Sequence, residues 1–240
     1  MLLINGGSFF SGGGVPIPWF KIALSGKPLV NMARFGSSNE RIFRTSLAFI
    51  LQKKPEIAVI EWTTPERQEI INRRTYIQVG YPPHNTILNG KYKFFPIQPT
   101  GLTEDGDREM VTRWADKCNE PIQDVTRSLQ YVYSLRIILE NMNIPYLFYF
   151  WRSEQFKAIN YANVSEISHW DRLEEAHITK PSRSVSKEKW LELTPELNKL
   201  DTTQFLREAG VEFDPRGLPD SKGHALFAEK FKVDLANVRY

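Results

Sequence analysis

A short apolar run, LLIN (2–5), ends in Gly6-Gly7-Ser8, and three more glycines follow at 12–14. A serine hydroxyl at the end of a strand can act as a nucleophile if a base takes its proton and N–H donors receive the developing oxyanion. The same turn can cradle a phosphate, or simply reverse the chain. A phosphate loop needs Gly-x4-Gly-Lys-Ser/Thr, and the nearest lysines, Lys21 and Lys27, lie too far along. No three glycines have the spacing of a dinucleotide turn. For the hydroxyl, the base must come from four histidines. His224 follows Asp220 by four residues, a spacing at which the two side chains meet if a helix has already begun. The ordinary alternative for His224 is packing or capping. His169 and His177 lie in a polar helical stretch and read as solvated helix face. His84 lies in a proline-rich stretch that can fold over a site. No His/Asp/Glu spacing suggests a metal, and no cofactor is expected. Arg34, Arg41, Arg44, Arg67 and Arg152 are the candidate cations; they read either as ion pairs with Glu61, Glu66 or Glu69, or as the lining of a cleft for an anionic or glycan ligand.

The elements that must position these groups follow from pattern. LLIN (2–5), PLVNMA (28–33), EIAVIEW (56–62) and IPYLFYF (144–150) read as strands, with VEF (211–213) as a short fifth. IPWFKIAL (17–24) has helical spacing. Residues 37–54 form an amphipathic helix with Phe43, Leu47, Ile50 and Leu51 on its apolar stripe, Arg41 off it, and Ser37 and Glu40 at capping-box spacing. Thr64-Pro65 predicts a helix over 64–74. Residues 75–106 read as an irregular insertion, 107–143 as helical with a break at Pro121, 154–212 as a helical insertion, and 221–237 as a closing helix that buries Leu226, Phe227 and Phe231. This βαβ series predicts a single domain over 1–240: α/β, a flavodoxin-like three-layer α/β/α fold with a mostly parallel sheet. Every strand then ends on one rim, where ligands of such sheets bind. The rim residues are Gly7-Ser8, Arg34 to Ser37, Thr63-Thr64, Trp151-Arg152 and Asp214 onward.

Four stretches in chain order resemble the blocks of the SGNH (GDSL-type) hydrolases. INGGSFFSG (4–12) resembles their first, where Gly-Asp-Ser ends the first strand. NMARFGSSNERIFR (31–44) and IEWTTPERQE (60–69) resemble the second and third, most closely as found in bacteriophage-encoded members. LPDSKGHALFAEKF (218–231) resembles the last, where a His-Pro pair precedes a Gly-His that opens the final helix. The resemblance implies Ser8 as nucleophile, with the Ser8 and Gly36 N–H groups and a side chain at Thr63 or Thr64 as the oxyanion donors. It also carries three departures. Gly7 replaces the aspartate of the first block, threonine replaces the usual asparagine of the third, and Leu218 stands where the catalytic histidine should precede proline. Leucine cannot accept a proton, so Asp220–His224 is the remaining candidate for a base.

Hydrophobic residues make up 41% and charged residues 25% of the 240, with a net charge of +3 from 31 basic and 28 acidic side chains. Nothing here marks a nucleic-acid arm. The single cysteine, Cys118, excludes an intrachain disulfide and a thiolate zinc site. The first residues lack a cationic leader, and no stretch has the roughly 18 apolar residues of a membrane span, so a soluble chain is expected. Two functions stay open. One is an SGNH hydrolase-like protein that has lost efficient catalysis and serves as a binding or structural component, with other virion proteins or a glycan as partner. The other is a serine ester hydrolase that removes O-acyl groups from a glycan.

Overall fold

A computed structural model describes residues 1–65, 67–71, 76–79, 86–88, 92–94, 121–152, 201–215 and 217–238 of the chain. The elements are β1 (Leu2–Asn5), α1 (Trp19–Ala23), β2 (Leu29–Asn31), α2 (Asn39–Lys53) and β3 (Ile57–Trp62). Then come β4 (Gln68–Ile71), β5 (Tyr76–Val79), β6 (Thr86–Leu88), β7 (Tyr92–Phe94), α3 (Pro121–Asn141), β8 (Tyr146–Phe150), α4 (Thr202–Glu208) and α5 (Ser221–Ala236).

β2, β1, β3 and β8 form a parallel sheet in that order, with Leu3 opposite Val30 and Ala58, and Val59 opposite Leu147. Successive side chains of a strand point to opposite faces, and both faces are covered. Leu2, Ile4, Ile57 and Val59 pack on one side with Trp19 and Phe20 of α1, Leu206 of α4, and Phe227 and Phe231 of α5. Leu3, Ala58, Ile60 and Trp62 pack on the other with Ile42 and Ile50 of α2 and Val132 and Leu139 of α3. This is the three-layer α/β/α arrangement with a parallel sheet. The strand order reverses between β1 and β3, and the crevice outside the carboxyl ends of the strands at such a reversal is where ligands enter this class of sheet.

Local chemistry sets the helix ends. Ser38 caps α2 by accepting the Arg41 N–H at 3.1 Å, and Lys54 closes it in the left-handed region. Asp201 caps α4 and Asp220 caps α5, accepting the N–H groups of Gln204 and Gly223 at 2.7 and 2.9 Å. Among the described residues α3 begins at Pro121, whose missing N–H costs nothing in a first turn.

Several expectations need correction. The Ser37–Glu40 box is displaced by one residue: Ser38 is the cap, and the Ser37 hydroxyl instead donates to the Arg34 carbonyl and accepts from Arg41 Nη1. Arg41 is consequently 4% exposed, and Leu51 of the expected apolar stripe is 61% exposed. Where a helix is expected over 64–74, Gln68–Ile71 form β4, which pairs antiparallel with β5, register Ile70 to Ile77. Within 75–106, β6 and β7 form a second antiparallel pair. Residues 211–213 do not extend the sheet: Phe213 makes one isolated bridge, to Pro219. The helical reading of 154–200 and of 107–120 lies outside the described residues.

Candidate active site

Gly6 continues from β1, and Ser8 opens a tight turn that closes on itself. The Ser8 carbonyl accepts the Ser11 hydroxyl at 2.7 Å and the Gly13 N–H at 2.9 Å. The β2 end is tied to this turn, because the Arg34 N–H donates to the Gly6 carbonyl at 3.1 Å. Two residues on, Gly36 in the left-handed region (φ 69°) turns its N–H toward the Ser8 hydroxyl oxygen, 3.4 Å away. The structure thus brings Ser8 and Gly36 together at the carboxyl rim. Ser8 is 8% exposed.

Thr63 and Thr64 follow β3 and are buried. Asn39, in the first turn of α2, grips Thr63 by both backbone groups: its Oδ1 accepts the Thr63 N–H at 2.8 Å, and its Nδ2 donates to the Thr63 carbonyl at 3.0 Å. The same Nδ2 reaches Ser128 of α3 at 3.0 Å. The Thr63 hydroxyl accepts from Arg67 Nη1 at 2.7 Å. A Cβ built on Gly7 would stand 3.6 Å from that hydroxyl oxygen, 3.5 Å from Glu61 Oε2 and 3.7 Å from Arg67 Nη1. Position 7 therefore faces a polar cluster contributed by β3 and the residues after it. Glu61 is the carboxylate of that cluster. Its Oε2 accepts the Gly7 N–H at 3.2 Å, and its Oε1 has no hydrogen-bond partner among the described residues. Burial pushes its carboxyl up to about 8, against the Gly7 and Phe10 N–H groups and the Arg67 charge, which favour ionisation.

The last block is built differently from an acid–base pair. His224 is fully buried, its ring centred 4.5 Å from that of Phe9 and tilted 36° to it. Its Nδ1 accepts the Trp19 N–H at 3.2 Å, which fixes the ring against α1. Burial lowers its pKa to about 4, while the Gly13 backbone and Asp220 pull the other way. Asp220 Oδ1 caps α5, and His224 Nε2 is buried with no hydrogen-bond partner among the described residues, so no hydrogen bond forms the expected Asp220–His224 dyad. Leu218 is 6% exposed in the apolar cluster, held by a loop in which Asp214 Oδ1 accepts the Leu218 N–H at 2.9 Å. Among the described residues, no imidazole hydrogen-bonds the Ser8 hydroxyl; His84, His169 and His177 lie outside them. Nor do any three His, Cys, Asp or Glu side chains among the described residues group so as to hold a metal ion.

Sequence reasoning missed two residues. Asn39 stood in the quoted GSSN stretch, but in a first turn that also carries Glu40 and Arg41 its amide gave no separate signal. Glu61 was weighed only as an ion-pair partner; a charge inside a run of six buried strand residues gives no hint of which neighbour it meets.

No family profile matches the sequence, and no curated protein matches it. Among solved structures, the chain is similar to the lipase Lip_vut3 from a goat rumen metagenome. They share 11% identity and a TM-score of 0.40, over 97% of this chain and 95% of that one. It is also similar to a member of the lipolytic G-D-S-L protein family from Veillonella parvula. The identity there is 10% and the TM-score 0.45, over 98% of each chain. Among the described residues, no helix is long and apolar enough to cross a membrane.

Proposed function

We propose that this chain is an SGNH hydrolase-like protein that has lost efficient catalysis and works as a binding or structural component. One observation carries the reading: among the described residues the last block offers Ser8 no base, since leucine stands where the histidine is expected and no hydrogen bond joins the one imidazole to the Ser8 hydroxyl. Leu218 is packed in the core, and His224 is buried against Phe9 with Nδ1 bonded to the Trp19 N–H. A serine hydroxyl with no acceptor for its proton loses the roughly 10²–10⁴-fold that general base catalysis supplies. The resemblance of residues 31–44 and 60–69 to bacteriophage-encoded members supports a place among the proteins of a virion.

The second reading, a serine esterase acting on an acylated glycan, is favoured by the Gly36 N–H at 3.4 Å from the Ser8 hydroxyl. Turnover of p-nitrophenyl acetate by the wild type and by Ser8→Ala separates the two. Equal, slow rates support the binding protein. A drop of a hundredfold or more in Ser8→Ala establishes Ser8 catalysis and removes the proposal.

A further inference from the structure

Three parallel strands, β1, β3 and β8, lie side by side, and the residues after them face one crevice. The β8 side of that rim is Trp151-Arg152. The Trp151 N–H donates to the Trp62 carbonyl at 2.9 Å, and the indole packs 5.4 Å from the ring of Phe9, the neighbour of Ser8. Arg152 is thereby held at the level of Thr63 and the Ser8 turn. Its backbone is fixed; its guanidinium is not matched. The Nε is buried without a hydrogen-bond partner, and among the described residues the side chain has no carboxylate, carbonyl or ring contact. Nη2 lies 3.4 Å from where a Cβ on Gly217 would stand, so the loop after α4 approaches it with backbone only. On the other side of Ser8, the half-buried Arg34 side chain also has no such contact among the described residues.

A guanidinium cannot shed its proton, and its N–H groups are costly to bury unanswered. A fork of five donors at a ligand-binding rim matches the two oxygens of a carboxylate or phosphate. We propose that Arg152 is the anion-recognition point of this rim and that the ligand carries an oxyanion. The strands stand about 4.8 Å apart, so the backbones that carry Arg152 and Ser8 lie two strand spacings, about 10 Å, apart across the sheet. The inference rests on the reading of the rim as a binding surface and names the chemistry of what it binds.

The test is titration of the full chain at low salt with glucuronate, glucose 6-phosphate and, as the neutral control, glucose. At least one anionic sugar should bind about tenfold more tightly than glucose. Tighter binding of both indicates recognition of any oxyanion; tighter binding of one identifies carboxylate or phosphate as its source. Arg152→Gln should fall to the affinity for glucose, and Arg152→Lys should keep part of the preference. Gly217→Asp places a carboxylate beside Nη2, at a positive φ that aspartate tolerates better than most residues, and should block the anion from within. If Arg152→Gln does not fold by circular dichroism, the Gly217→Asp titration decides. No anion preference in the wild type overturns the proposal, as does a preference that survives intact in folded Arg152→Gln or in folded Gly217→Asp. The readout is binding, so Ser8-dependent esterase activity would remove the functional reading without moving this result.

Discussion

The Ser8 hydroxyl receives the Gly36 N–H, but among the described residues nothing receives its own proton. The backbone beside that hydroxyl is held by specific contacts. Asn39 satisfies both backbone groups of Thr63 in a place water does not reach. Removing the amide leaves a buried N–H and a buried C=O unpaired, each worth about 1–3 kcal/mol. Asn39→Ala should therefore lose about 2–4 kcal/mol in urea denaturation. Asn39→Asp, which keeps the acceptor for the Thr63 N–H, should lose less of that contact but forfeit both donations. A loss below about 0.5 kcal/mol in Asn39→Ala would show that Thr63 does not depend on it.

Among the elements, α5 does the most for the turn that carries Ser8. Phe227 meets Phe9 and Trp19 at centroid distances of 5.0 Å, Tyr149 at 5.1 Å and Phe10 at 5.8 Å. Phe227→Ala should cost about 3–5 kcal/mol through lost burial and the cavity left behind, measured by thermal or urea unfolding. The presence of α5, of α2 and of the four sheet strands was plain in the sequence, but not which face of α2 is buried, since Arg41 and Ser46 lie inside and Leu51 outside. Phe227 and Phe231 were named from spacing alone. What spacing does not carry is partner choice. Thr64-Pro65 has the chemistry of a helix start, yet the chain enters β4, since pairing with β5 outweighs a local cap signal. Ser37 and Ser38 differ by one position, and only the backbone decides which hydroxyl faces the Arg41 N–H. His224 sat at the right rim and in the right motif; that its ring nitrogen is used by α1, 205 residues away, is a tertiary fact.

For the whole molecule, two buried titrating groups set opposite pH trends. Glu61 holds its proton in the folded state up to about pH 8, above its value of 4.5 when free of the fold, so its contribution to stability falls as pH rises through that window. His224 ionises only near pH 4 when folded, below its ordinary 6.5, so its contribution falls as pH drops from 6.5 toward 4. From about 4.5 to 6.5 the two slopes oppose; from 6.5 to 8 only that of Glu61 acts. Unfolding free energy should be nearly level across the first range and decline across the second. Glu61→Gln should remove most of the decline. A wild type whose stability rises between pH 6.5 and 8 would contradict the burial of a protonated carboxyl beneath Gly7.

The aromatic cluster around Phe9, Phe10 and Trp19 is completed by His224, Phe227 and Phe231, so the opening residues gain the last of their cover from α5. A ribosome adding about 5–20 residues per second leaves that greasy patch waiting for about 10–40 s. Until α5 is made, the nascent chain leaves those rings partly bare, so a chain truncated before Ser221 should aggregate more readily than the full one, as light scattering would show.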